Sequence, residues 1–69
     1  MEKLIKLRKK YKYSGTYMAQ RLNISKPFYW QLDHGQRRLT YDMAIKIANV
    51  FDLKPDEIFY KDYIRKKQI

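Results

Sequence analysis

The stretch SGTYMAQRLNISKPFYWQLDHGQRR, residues 14–38, decides the fold of this 69-residue chain. Its apolar side chains recur at the spacing of two short helices that each bury one stripe. These side chains are Met18, Ala19, Leu22, Ile24, Tyr29 and Leu32. Asn23 separates the two stripes and tolerates the left-handed backbone of a tight turn, and Ser25 is placed to cap the second helix. The pattern predicts a helix, a short turn and a second helix.

Punctuation residues predict the limits of these two helices. Ser14 is the expected N-cap of a helix over about residues 15–22. The second helix should run over about 26–33, with Pro27 in its first turn, where a missing N–H costs little. Gly35 is expected to end it in a left-handed conformation.

Three more helices are predicted on either side of this pair. The first covers about residues 2–10 and turns Leu4, Ile5 and Leu7 inward. Thr40 caps a fourth helix. Its apolar set has helical spacing and consists of Met43, Ala44, Ile47, Ala48 and Phe51. Pro55 begins a fifth helix, in which Ile58 and Phe59 point inward. An aromatic and basic tail, residues 60–69, follows.

These elements predict an all-α fold, a compact five-helix bundle. We expect one domain over residues 1–69, because a chain of this length has one small core. Within it, the helix-turn-helix covers about 15–34, and a C-terminal helix or tail covers 55–69.

Composition excludes several classes of function. The chain has no cysteine and one histidine, so a structural zinc site is not expected. It has no carboxylate cluster and no nucleophile–base constellation, so we expect no catalysis, no metal and no cofactor. No apolar run approaches membrane-spanning length, and the amphipathic N-terminus does not resemble a secretion signal. The expected location is the cytoplasm, with no membrane partner.

The positive charge is concentrated in one half of the chain. The formal net charge is +9, and ten basic but only two acidic residues precede Leu39. A polyanion is the natural partner of such a half, although a merely solubilising surface is the plain alternative. Since a helix-turn-helix is a geometry that lays one helix in the DNA major groove, the sequence predicts a protein that binds double-stranded DNA.

Four short motifs in order carry a resemblance to a known family. They are MAQRLNIS at 18–25, LDHG at 32–35, AIKIA at 44–48 and LKPDEIF at 53–59. Together they resemble the lambda repressor/Cro type of helix-turn-helix domain (xenobiotic-response-element-like), over nearly the whole chain. The resemblance implies a transcriptional regulator that binds operator DNA, with a small phage- or mobile-element-type repressor as the expected kind.

The same resemblance assigns roles to side chains of the third helix. It implies base contacts from Lys26, Pro27, Trp30 and Gln31. Lys26 can donate to guanine and Gln31 can pair with adenine, whereas Trp30 is suited to a thymine methyl group or to sugar and phosphate. Phosphate contacts are implied for the residues around this helix, namely Lys12, Ser25, His34, Gln36, Arg37 and Arg38. Alternatively, His34 is an ordinary residue at the C-terminal end of the helix, where its protonated ring interacts favourably with the helix dipole.

A structural ion pair is also implied by the resemblance. Arg8 on the first helix and Asp33 at the end of the third match positions that pair in several members of the family. Asp33 is the only acidic residue between Lys3 and Tyr41, which leaves Arg8 few other partners.

Departures from the family pattern keep a second hypothesis open. Many relatives begin the second helix with glutamine, whereas this chain has Gly15. Tyr17, Phe28 and Trp30 could form a hydrophobic docking patch for a protein partner. The chain would then be an antirepressor or antitoxin-like relative rather than a DNA reader.

A homodimer is suggested by surplus apolar residues near the C-terminus. The family often dimerises through the fifth helix, and the candidate contacts are Phe51, Tyr60, Tyr63 and Ile64. The tail could instead fold back on its own domain.

Overall fold

The computed structural model describes the backbone of residues 1–67 and, from residue 63 onward, only the side chain of Ile64. Five helices and no strand occur within that range, which confirms the predicted all-α fold. The helices are α1 (Glu2–Lys10), α2 (Gly15–Leu22), α3 (Lys26–Asp33), α4 (Tyr41–Val50) and α5 (Pro55–Lys67). Helix α3 packs on α2, α4 packs on α2 and α5, and α5 packs on α1.

Side-chain caps begin four of the helices. The hydroxyls of Ser14, Ser25 and Thr40 each accept a hydrogen bond from the backbone N–H three residues later, at 3.0–3.2 Å. At α5, the Glu57 carboxylate reaches back to the N–H of Lys54 at 2.7 Å, the second half of a capping box. Local sequence therefore determines where these helices start.

Helices α1 to α4 all end with one residue in the left-handed conformation. These residues are Lys12, Asn23, Gly35 and Asp52, with φ between 56° and 69°. In each case two backbone N–H groups return to carbonyls of the last turn, the arrangement of a Schellman motif. The sequence analysis predicted this conformation for Asn23 and Gly35 but not for Lys12 and Asp52.

The core lies where the five helices meet. Its buried apolar residues are Leu4, Met18, Ala19, Leu22, Tyr29, Leu32, Leu39, Ala44, Ile47, Ala48, Phe51, Ile58 and Phe59. The core assignments of Tyr29 and Leu32 are confirmed, since each is 1% exposed. Ile5 and Leu7 are only half-buried, because one face of α1 covers the bundle and Leu4 occupies its centre.

One expectation for the C-terminal part is wrong. Phe51, a candidate dimer contact, is 3% exposed and contributes to the core. Of the two alternatives for residues 55–69, a helix or a tail, the structure has the helix, and α5 continues through Lys67; residues 68–69 lie outside the described range. Within that range, every helix is too short or too polar to cross a membrane.

Candidate nucleic-acid interface

Helix α3 divides into a buried side and an exposed side. Tyr29, Leu32 and Asp33 are buried. The predicted base-contacting residues lie on the opposite side: Lys26, Pro27 and Trp30 are exposed, and Gln31 is half-buried. The turn after Ser25 thus presents the N-terminal part of α3 to solvent with the side chains that the sequence analysis selected for DNA.

Trp30 lies in the middle of this exposed side and is stacked on His34. The two ring centroids are 4.1 Å apart and the rings are nearly parallel, at 20°. The Nδ1 of His34 is 2.9 Å from the carbonyl oxygen of Trp30. Because a carbonyl can only accept, Nδ1 carries the hydrogen and Nε2 of the neutral ring is an acceptor. A phosphate contact by Nε2 would therefore require a protonated imidazole.

Phe28, Gln31 and Arg37 form a second group at the edge of α3. The Arg37 guanidinium lies over the Phe28 ring, 4.5 Å from its centroid. Its Nε donates to Oε1 of Gln31 at 2.9 Å. Phe28 itself is half-buried and packs against the core. The sequence analysis assigned Arg37 to phosphate and did not predict this group, because the spacing between residues 31 and 37 crosses a helix end.

Gly15 leaves the side of Trp30 open. A shallow cleft runs between the start of α2 and α3, and its lining includes Gly15, Thr16, Pro27 and Trp30. A Cβ at Gly15 would meet only Tyr29 Cδ2, at an ordinary contact distance of 3.8 Å. A side chain could therefore occupy this position without displacing the core.

The remaining phosphate candidates are exposed around α3. Gln36, Arg37 and Arg38 follow its C-terminus, and Lys12 lies in the turn between α1 and α2. Ser25 uses its oxygen to cap α3, which leaves its hydroxyl hydrogen free to donate to a phosphate.

A buried network fixes α3 against α1. Arg8 Nη2 donates to Asp33 Oδ2 at 3.1 Å, and the Tyr29 hydroxyl donates to Asp33 Oδ1 at 3.0 Å. Arg8 Nη1 also donates to the Tyr13 carbonyl at 3.1 Å. The side chains of Asp33 and Arg8 are 3% and 18% exposed. Burial, and then the Asp33 carboxylate, raise the pKa of Tyr29 above its ordinary value. The sequence analysis placed Tyr29 in the buried stripe but did not predict its hydrogen bond to Asp33, although the i, i+4 spacing of the two residues was a usable signal.

A cluster of aromatic rings joins the α1–α2 turn to the core. Tyr13 packs on Tyr17 with ring centroids 4.5 Å apart, and Tyr13 and Tyr11 both contact Phe51. The Tyr17 hydroxyl accepts a hydrogen bond from Arg21 at 2.6 Å. Tyr17, predicted as part of a docking patch, is thus half-buried and engaged within the domain.

Comparison with known proteins decides the family. A profile of the helix-turn-helix family matches residues 4–58. The chain belongs to the Cro/C1-type helix-turn-helix family. The matched region contains all of α2, α3 and α4, and so includes the exposed side of α3.

A relative supports the same assignment. The chain is 36% identical over 61 residues to a Pyrococcus furiosus protein whose assigned name, HTH-type transcriptional regulatory protein, is itself an inference. The match covers 84% of this chain but only 19% of that relative's length. No solved structure matches the chain significantly. Together the family and the relative place the chain among helix-turn-helix proteins.

Proposed function

We propose that this helix-turn-helix protein is a sequence-specific repressor of the small phage or mobile-element type, which reads operator DNA in the major groove with α3. The observation that carries the proposal is the exposed side of α3, where Lys26 and Trp30 are exposed and Gln31 is half-buried beside them. Arg37 and Arg38 lie next to this side in the chain and supply positive charge. The operator DNA of such an element lies in the cytoplasm of its host cell, and we place the protein's action there.

In this proposal the side chains divide into two kinds of contact. Lys26 and Gln31 donate to base edges in the groove, while Pro27 and Trp30 supply apolar contact to thymine methyl groups. Phosphate contacts fix the register of the helix and carry no sequence information of their own. We assign them to Lys12, Ser25, Gln36, Arg37 and Arg38, and to Nε2 of His34 in the protonated form of its ring.

We further propose that the repressor acts as a two-fold dimer through α5. Tyr60 is 60% exposed and Ile64 is half-buried, so this helix retains apolar surface outside the core. The side chain of Tyr63, the remaining candidate, lies outside the described part of the chain. A two-fold dimer would place its two α3 helices about 34 Å apart and would select half-sites one DNA turn apart.

Selection from random duplex DNA tests the function. The parent protein and Gln31→Ala are titrated against the same library at fixed salt concentration. We expect the parent to enrich a palindromic sequence and the variant to lose preference at one position in each half-site. Arg21→Ala is a suitable control, because Arg21 is bonded to Tyr17 on α2 and lies outside the proposed contacts. Salt-sensitive binding without any enrichment would contradict sequence-specific recognition.

The protein-docking hypothesis has one observation in its favour, since Trp30 is 49% exposed. The other two aromatic rings support it less well. Phe28 and Trp30, two positions apart on a helix, project about 160° from each other, and Tyr17 is engaged by Arg21. If the parent enriches no DNA sequence, capture of a protein partner that is lost in Trp30→Ala but kept in Gln31→Ala would support docking instead.

A further inference from the structure

We infer that Arg37 is a positioning residue for base recognition, which holds the Gln31 amide so that its NH₂ group donates to guanine. This inference rests on the proposed DNA-binding function and refines it at one position. It replaces the phosphate contact proposed above for Arg37, and the adenine contact that the sequence analysis assigned to Gln31.

The end of α3 delivers Arg37 to this position. Gly35 adopts φ of +69°, and the N–H of Gln36 then bonds to the carbonyl of Gln31 at 2.8 Å. This closed turn brings the next residue back along α3 rather than away from it. The Arg37 Nε consequently lies 2.9 Å from Oε1 of Gln31.

Phe28 supplies the platform that holds the guanidinium. Its ring is half-buried against the core, and Arg37 lies over its face at 4.5 Å. Stacking of this kind restrains the plane of an arginine and favours its position over the ring. Phe28, which the docking hypothesis places in a hydrophobic patch, thereby has a role that requires no contact with DNA or with a partner protein.

The hydrogen bond determines which edge of Gln31 faces outward. The Nε of arginine can only donate, so the amide must present its oxygen to Arg37 and direct its NH₂ group away. The outward group of the amide is then its NH₂, whose two hydrogens are both donors. Guanine offers two acceptors in the major groove, N7 and O6, whereas adenine offers one acceptor and one donor. The bound amide therefore favours guanine, while a free glutamine favours adenine.

The test compares substitutions of two neighbouring arginines, Arg37 and Arg38, and a double variant that combines Arg37→Ala with Gln31→Ala. Arg37→Ala and Arg38→Ala each remove one exposed charge, and Arg38 makes no hydrogen bond to Gln31 among the described residues. Duplexes that differ only by guanine or adenine at the position relaxed by Gln31→Ala are titrated with each protein. Thermal melting followed by circular dichroism verifies that all variants fold.

We expect the parent to prefer guanine by about 5- to 150-fold, the range for one good bidentate contact. Arg37→Ala should lose most of this preference and Arg38→Ala should keep it. Because Arg37 acts through Gln31, its substitution should change the preference no further once Gln31 is alanine.

Several results would overturn the inference. One is a parent that selects adenine at this position. Another is an Arg37→Ala variant that weakens binding to all duplexes equally. A third is that Arg37→Ala lowers the guanine preference equally in the parent and in Gln31→Ala. A Gln31→Ala variant that relaxes no position would do the same. If the parent enriches no sequence at all, the proposed function itself fails, and that outcome is separate from the others.

Discussion

At the scale of single residues, Asp33 connects α3 to α1 and to the core. Its carboxylate accepts from Arg8 on α1 and from Tyr29 one turn earlier on α3, and its side chain is 3% exposed. A buried charge of this kind is tolerated because its lone pairs are satisfied by an opposite charge and a hydroxyl. The carboxylate thereby fixes the orientation of α3.

Loss of the Asp33 carboxylate should be strongly destabilising. In Asp33→Ala the guanidinium of Arg8 stays largely buried without its partner, which costs about 3–5 kcal/mol. For a domain of this size we expect the melting temperature to fall by about 12 °C or more. Thermal denaturation of parent and variant measures the effect.

The exposed ion pair of α1 provides the matched control. Glu2 and Lys6 are 3.5 Å apart and almost fully solvated, so Glu2→Ala should cost less than about 1 kcal/mol. Similar melting temperatures for Asp33→Ala and the parent would show that the buried pair does not stabilise the fold.

The Tyr29 hydroxyl should make stability depend on alkaline pH. Burial and Asp33 raise the pKa of Tyr29 in the folded state, whereas the unfolded chain releases this proton near pH 10. A raised folded pKa means that the contribution is complete below about pH 10 and is lost as pH rises further.

Tyr29→Phe isolates this effect. At neutral pH the variant should be less stable by about 1–3 kcal/mol, because one oxygen of the buried Asp33 loses its donor. Above about pH 10 the difference from the parent should narrow, since only the parent must keep Tyr29 protonated. Urea denaturation at both pH values measures the difference; a constant difference would contradict the argument.

At the scale of helices, α1 to α4 each end with one residue in the left-handed conformation. Only one of the four positions is glycine, and Lys12 and Asp52 adopt φ of 59° and 58°. A residue with a Cβ is disfavoured there by about 1–2 kcal/mol. These residues keep their unfavourable backbone conformation because the packing of the helices constrains the direction of the chain at each turn.

Lys12→Gly should therefore raise stability while weakening DNA binding. Removing the Cβ relieves the left-handed strain, with an expected gain of about 0.5–1 kcal/mol after the added flexibility of the unfolded chain. Loss of the lysine should also remove one phosphate contact. Chemical denaturation and DNA titration measure the two effects separately.

Two controls test the sign of this prediction. Lys9→Gly lies within α1 and should lower stability by about 1 kcal/mol. Gly35→Ala should lower it by a similar amount, because its φ is +69° and its Cβ position is otherwise open. If Lys12→Gly is destabilised like Lys9→Gly, the flexibility that glycine adds to the unfolded chain outweighs the relief of left-handed strain, and the prediction is wrong.

At the scale of the whole molecule, asymmetric charge distinguishes the two halves of the chain. Most of the +9 net charge precedes Leu39, in α1, α2, α3 and their turns. The acidic residues of the second half include Asp56 and Glu57, which lie in the first turn of α5. The helix dipole favours them there, so they support folding, while the excess positive charge lies in the other half of the chain.

DNA affinity should consequently fall steeply with salt. If each protomer neutralises about four phosphates, log K should fall with log salt at a slope near −3.6, and near −7 for a dimer. Arg38→Ala should reduce the magnitude of the slope by about 1 per protomer. Titrations between 50 and 200 mM salt, roughly the range in which such contacts act, give the slope, and a value near zero would exclude phosphate contacts.

The sequence by itself determined the helices and the family. Caps at Ser14, Ser25 and Thr40 and the left-handed stop at Gly35 act over three to five residues, so they can be recognised from the order of amino acids. Apolar spacing likewise identified the buried side of α3. The motifs between residues 18 and 59 identified the family for the same reason, because they record these local requirements in sequence.

Only the tertiary structure decided the contacts between elements. It buried Phe51 beneath Tyr11 and Tyr13, and it extended α5 to Lys67. It also brought Arg37 over Phe28 and onto Gln31. Such contacts depend on helix directions and on turns such as that at Lys12, where nothing in the residue type predicts positive φ. Spacing along a helix fixes which residues share a face, but distances across a turn are set by the packing of the whole chain.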